Sequence, residues 1–130
     1  MTRTLGRLGQ VSALTLGGGG IGALWGATTR EEGIATLRAA SDLGITMFDA
    51  APGYNVCEEL IGEAFDGRLP DGALLTTKCG IAKVGPGINY RDGRPKAIRT
   101  ILEASLLQLR RDHVDLSALA QGIVADLRRG

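Results

Sequence analysis

Asp49, Tyr54 and Lys78 are the residues of this chain whose types, taken together, suit a reaction. A phenol with a pKa of about 10 is a poor acid near neutrality, but an adjacent ammonium stabilises its phenolate and lowers that value. Lys78 could supply the positive charge, and a carboxylate such as Asp49 would keep the lysine protonated and in place. Such a phenol, ammonium and carboxylate set suits protonation of a carbonyl oxygen. Each residue also has a plain structural reading. Asp49, ahead of Ala50, Ala51 and Pro52, could cap a turn; Tyr54 could be a half-buried loop aromatic; Lys78 could be a solvated strand end. Other chemistries have less to stand on. Cys57 and Cys79 lack CxxC spacing, and His113 is the sole imidazole, so neither a zinc site nor a thiol nucleophile with a base is expected. Packing as small hydrophobes is the expectation for both cysteines.

The elements that must position the three residues follow from the apolar periodicity, which switches along the chain as in an α/β protein. Val11 to Leu16 reads as a strand that runs into a loop at Gly17–Gly20 and Gly22. Thr29 to Glu32 fits a helix capping box, followed by Ile34, Leu37, Ala40 and Leu43 at helical spacing and a stop at Gly44. Thr46 to Ala50 reads as a buried parallel strand with Asp49 at its carboxyl end. Glu58 to Phe65 is the second helix, and Ala73 to Thr77 the third strand, closing on Lys78. The glycine-rich connection from Cys79 to Arg94 exceeds the ~2 to 6 residues usual in α/β units and reads as a functional loop. Pro95 opens a third helix with its stripe at Ile98, Ile101, Leu102, Ser105, Leu106 and Leu109. His113 to Leu116 reads as the fourth strand. Beyond it, Ser117 to Gln121 could finish that strand or Ile123 to Arg129 could form a helix. Asp49, Tyr54 and Lys78 thus fall at the carboxyl ends of strands two and three, where parallel α/β folds bind ligands.

Composition narrows the classes of partner. With 15 Lys+Arg against 14 Asp+Glu and no block of like charge, neither nucleic acid nor an acidic membrane is expected as a partner. The run Val11 to Ala27 is uncharged but contains six glycines, too many for a spanning helix. The start of the chain lacks a basic and then apolar signal pattern, so a cytoplasmic location is the expectation. Glycine at 20 of 130 residues and aromatics at 4% imply a small aliphatic core.

Several stretches resemble the aldo-keto reductases: Leu16-Gly-Gly-Gly-Gly-Ile-Gly22, Asp42-Leu-Gly-Ile-Thr-Met-Phe-Asp-Ala-Ala-Pro-Gly-Tyr54, Glu58-Glu-Leu-Ile-Gly-Glu-Ala64, Leu75-Thr-Thr-Lys78, and Leu102-Glu-Ala-Ser-Leu106 through His113-Val-Asp-Leu116. The resemblance covers most of residues 1 to 116 in order. It implies a (β/α)8 barrel that reduces small aldehydes or ketones with NADPH. Tyr54 would be the general acid, Lys78 the group that lowers its pKa, and Asp49 the partner of the lysine. Gly19, Gly20 and Ile21, with Asp49, would lie near the nicotinamide end of the cofactor. Arg3 to Gly9 would form a hairpin plugging the barrel floor. No metal is implied.

The chain departs from that pattern at several positions. The histidine that commonly ends strand four corresponds to Ala120, and His113 sits at the opposite end of that strand. The threonine that usually follows the catalytic aspartate is Ala50, and the link from Tyr54 to Glu58 is short. A closed barrel needs ~200 residues or more, so 130 residues are expected to make a single truncated domain, an amino-terminal half-barrel of about four β/α units. Such a half would have to associate with itself or with a complementary half-barrel chain, or else persist as an inactive relic or interaction subunit. A rival reading is a Rossmann-type dinucleotide unit, since Gly17, Gly19 and Gly22 match GxGxxG after a strand.

Overall fold

In a computed structural model, residues 1–85 and 88–119 are described. Four parallel strands form the central sheet, in the sequential order β3 (Thr15–Gly17), β4 (Met47–Asp49), β5 (Leu74–Cys79) and β8 (Leu116–Leu119). Helices α2 (Arg30–Asp42), α3 (Cys57–Phe65) and α4 (Pro95–Leu109) connect them. Sequential parallel order with helical crossovers is a partial (β/α)8 barrel. Among the described residues β3 lies at the edge of the sheet, which goes against the Rossmann alternative, whose first strand lies inside it.

The amino terminus forms an antiparallel hairpin of β1 (Thr2–Thr4) and β2 (Gln10–Ser12), joined by a 3-10 turn at Gly6–Leu8. The strand expected over Val11 to Leu16 is therefore two strands. They part at Ser12, whose Oγ donates to the Leu14 carbonyl at 2.6 Å and accepts from the Thr46 N–H at 2.9 Å, while Thr46 Oγ1 accepts from the Ser12 N–H at 2.8 Å. These side-chain bonds replace ladder pairing and turn the chain out of the hairpin. The glycines that follow also differ from expectation, since Gly18–Ile21 is one turn of helix, α1, rather than a loop. Close packing explains why glycine is needed there: a Cβ on Gly22 would collide with the Tyr54 carbonyl.

Helix α2 begins at the expected capping box, in which Thr29 Oγ1 accepts from the Glu32 N–H at 3.1 Å and Glu32 Oε2 accepts from the Thr29 N–H at 2.8 Å. Gly44, at φ +90, takes the left-handed conformation after its end. Helix α4 begins at Pro95, and its most buried positions, Ile101, Ser105 and Leu109, recur every four residues against the sheet. The long connection after β5 contains a hairpin of β6 (Ile81–Gly85) and β7 (Ile88–Arg91) rather than bare loop. The fourth strand starts later than expected because Asp115 caps the sheet: its carboxylate accepts from the Leu75 N–H at 2.8 Å and its own N–H donates to the Leu75 carbonyl at 3.0 Å. His113 is left in an exposed turn beside Asp112. Ala120 and the Ile123–Arg129 segment lie outside the described residues.

The core lies between the sheet and the helices and is built from Leu37, Phe48, Leu60, Ile61, Leu75 and Leu109. Phe48 and Phe65 meet edge to face with ring centroids 5.5 Å apart. Among the described residues, no helix is long and apolar enough to cross a membrane.

Candidate active site

Period-two alternation along β5 divides its side chains between two faces. Leu75, Thr77 and Cys79 turn toward the helices; Thr76 and Lys78 turn the other way, toward Asp49 at the end of the neighbouring strand. Register places Asp49 directly beside Thr76. Asp49 Oδ1 accepts from Thr76 Oγ1 at 2.6 Å and from Lys78 Nζ at 2.8 Å, and Asp49 Oδ2 accepts from Nζ at 3.0 Å. Lys78 Nζ also donates to the Ala50 carbonyl at 3.0 Å. The ammonium is thus fixed by a carboxylate and a carbonyl, with 27% of the lysine side chain still exposed.

Tyr54 arrives from the other side, on a turn closed by its N–H donating to the Ala51 carbonyl at 3.1 Å. Its own carbonyl accepts from the Cys57 N–H at 3.0 Å, which ties the turn to the start of α3. Asn55, at φ +50, donates from Nδ2 to the Gly22 carbonyl at 3.1 Å and anchors the same turn to the glycine segment. Lys78 Nζ then lies 4.8 Å from the centroid of the Tyr54 ring, within the reach of a cation–π contact.

Asp49, Tyr54 and Lys78, expected as one set at the strand ends, are brought together around the Lys78 ammonium. Tyr54 and Lys78 line one cavity of about 260 Å³ with Leu24, Ala51, Pro52, Gly53 and Ile81. A larger cleft of about 420 Å³, between α3 and α4 on the outer side of the sheet, contains none of the three. Gly19 and Ile21 are buried in α1, with the Trp25 ring lying over Gly19 and Gly20. Thr76 was missed from the sequence, although its place two residues before Lys78 puts it on the same strand face. Among the described residues, no group of three His, Cys, Asp or Glu could hold a metal ion.

On the helix-facing side, Cys57 and Glu58 are buried at the start of α3. Burial, aided by the Glu58 charge, pushes the Cys57 thiol up to about 12. Both Cys57 and Cys79 are free and buried. They are expected to resist a bulky disulfide reagent in the folded protein at neutral pH and to react on unfolding. Rapid labelling before denaturant is added would contradict that packing.

Burial also pushes the Glu58 carboxyl above the ordinary carboxylate range, while the hydroxyls of Thr77 and Ser105 and the charge of Lys78 pull it back. Thr77 Oγ1 donates to Glu58 Oε1 at 2.5 Å. The Ser105 hydroxyl faces the carboxyl without a hydrogen bond of standard geometry. An acid whose pKa is raised by folding binds its proton more tightly in the folded state. Its contribution to stability is therefore fullest below its unfolded pKa and declines as pH rises toward the folded value. Glu58→Gln should remove this decline, so urea midpoints of the variant should gain on the parent as pH rises from about 4 to 8. A difference between the two that is independent of pH would contradict it.

The four-stranded parallel sheet, with a polar cluster at the carboxyl ends of its strands, is that of a partial β/α barrel. Residues 13–121 match the Aldo/keto reductase family. The chain belongs to that family. It is 32% identical over 119 residues to L-galactose dehydrogenase of Arabidopsis thaliana, covering 88% of this chain and 36% of that protein. It is 34% identical over 125 residues to NADH-specific methylglyoxal reductase of Escherichia coli, covering 87% of this chain and 37% of the relative. Among solved structures, a putative aldo-keto reductase from Pseudomonas aeruginosa superposes with a TM-score of 0.84 at 30% identity, over 100% of this chain and 51% of the other. The chain thus spans about a third of these relatives and half of that structure.

Proposed function

We propose that this chain supplies the proton-donating half of a nicotinamide-dependent carbonyl reductase acting on small aldehydes or ketones. The observation that carries this reading is the immobilised ammonium of Lys78, held by Asp49 and Ala50 against the face of Tyr54 in a cavity at the strand ends. The cavity is smaller than the ~300–1,000 Å³ typical of pockets for drug-sized ligands. Its size suits a small carbonyl and not a whole dinucleotide, whose nicotinamide end falls to residues outside its lining. By family resemblance Gly19, Gly20, Ile21 and Asp49 would hold that end of NADPH, which when bound supplies the hydride.

Within this scheme Tyr54 gives its phenolic proton to the carbonyl oxygen as the carbonyl carbon becomes an alcohol carbon. Negative charge that develops on the tyrosine oxygen is met by Lys78, and Asp49 keeps that lysine oriented. Thr76 restrains the carboxylate, so the lysine does not follow the substrate. The apolar wall of Leu24, Ala51, Pro52 and Ile81 suits a short carbonyl compound; methylglyoxal, named for one of the relatives, is an apt first substrate.

Strands β3 and β8 are the outer strands of the four-stranded sheet, each paired on one side among the described residues. We propose that a second copy of the chain or a complementary β/α segment meets them and completes the cofactor site. The test is titration of NADPH by fluorescence, with light scattering on the same sample and methylglyoxal added to follow NADPH oxidation. Saturable binding with turnover by an assembled species supports the reading. A species that neither binds nor turns over would instead favour an inactive relic or interaction subunit.

A further inference from the structure

We propose that the hydrogen bond between Glu58 and Thr77 is a positioning contact that sets the Tyr54 segment against the strand carrying Lys78. This rests on the reading of Tyr54 and Lys78 as a proton-donating pair. The two residues of that pair come from different elements, and the cluster works only if those elements keep one relative position. Tyr54 lies on the turn that opens α3, fastened to it by the Cys57 N–H at 3.0 Å. Glu58 is the next residue of the helix. Thr77 lies between Thr76 and Lys78 on β5, whose side chains both donate to Asp49 on the opposite face of the strand. The 2.5 Å bond from Thr77 Oγ1 to Glu58 Oε1 therefore runs from the base of the Tyr54 turn to the backbone between two groups of the site.

Its burial gives this contact its weight. Glu58 is 5% exposed and Thr77 fully buried, in a layer where apolar side chains in place of both partners would be about neutral or stabilising. A carboxyl kept there has a cost in desolvation, and what it adds is direction: an apolar contact tolerates sliding, whereas a short buried hydrogen bond does not. Misplacement by about 1 Å can cost a catalytic site roughly 100-fold, so a directional tie between α3 and β5 has a use that packing alone does not fill.

The test reads the pair without needing turnover. The chain has two tyrosines, so Tyr90→Phe leaves Tyr54 as the sole labelled ring in protein made with carbon-13 tyrosine. In that background, the change in Tyr54 ring shifts caused by Lys78→Met defines the signature of the ammonium. Thr77→Val is expected to lose at least half of that signature, whereas Thr77→Ser and Glu58→Gln, which keep a donor and an acceptor, retain it. A general loss of stability would lower the melting temperature without selecting between these variants. If Thr77→Val does not fold by circular dichroism, Glu58→Met, of similar length but without an acceptor, is read in the same way. A full signature in the folded Val or Met variant overturns the positioning role alone. No change of Tyr54 on Lys78→Met overturns the pair itself and the inference with it.

Discussion

Tyr54→Phe is expected to lower turnover of a small aldehyde by about 100- to 10,000-fold, the range that a positioned general acid contributes. The substitution removes one oxygen and keeps the ring, so its packing beside Gly18 and its contact with the Lys78 ammonium should persist. Binding of NADPH by the assembled protein should stay close to that of the parent, and kcat should carry the loss. Lys78→Met is expected to fall in the same way, because the ammonium acts through the phenol. The two changes together should then cost little more than either alone, as expected for groups working as a unit. Steady-state NADPH oxidation on the two single variants and the double variant checks this. Retention of turnover within about threefold in Tyr54→Phe would remove the tyrosine from the chemistry, and additive losses would mean that Lys78 has a separate role.

How far this site could be read from the sequence depended on the range of the interactions that make it. Capping signals are local, so Thr29, Glu32, Gly44 and Pro95 marked their helix ends correctly. The polar residues at the ends of strands two and three were legible because parallel sheets place strand ends together whatever their side chains. What could not be read were choices decided by distant partners. Ser12 and Thr46 exchange hydrogen bonds across 34 residues, and that exchange splits the first strand. Asp115 bonds to Leu75 across 40 residues and delays the fourth. Glu58 and Glu59 look alike as an acidic first turn of α3. Yet Glu58 is buried against Thr77, while Glu59 is exposed and pairs with Arg30 at 2.9 Å. Only the position of β5 behind the helix separates their roles. Local pattern reads Gly18–Ile21 as loop; the nearness of Asp49 and Tyr54 to that backbone, which leaves no room for a Cβ at Gly18, is not visible in it.

Phe48→Ala should be the most damaging core substitution, destabilising the protein by about 3–5 kcal/mol. Aromatics are 4% of the chain, and among the described residues Phe48 is the one aromatic in the fully buried cluster. Phe48 is 1% exposed and in the middle of β4, with Leu16 and Leu75 as its register partners on the two flanking strands. Its ring meets Phe65 of α3 at 63°, a geometry worth about 0.5–1.5 kcal/mol beyond area burial. Removal leaves a cavity that Leu60 and Ile61 cannot close without moving α3, and α3 begins at the Tyr54 turn. A loss of this size is a large share of the roughly 5–15 kcal/mol that holds an ordinary domain folded, so the variant should show a strongly reduced urea midpoint with an unchanged slope. Combined with Phe65→Ala, the losses should be less than additive, because the ring pair can be lost only once. A Phe48→Ala cost below about 1 kcal/mol would mean that the sheet and α3 are held together elsewhere. In that case the placement of Tyr54 over Lys78 would not depend on this core.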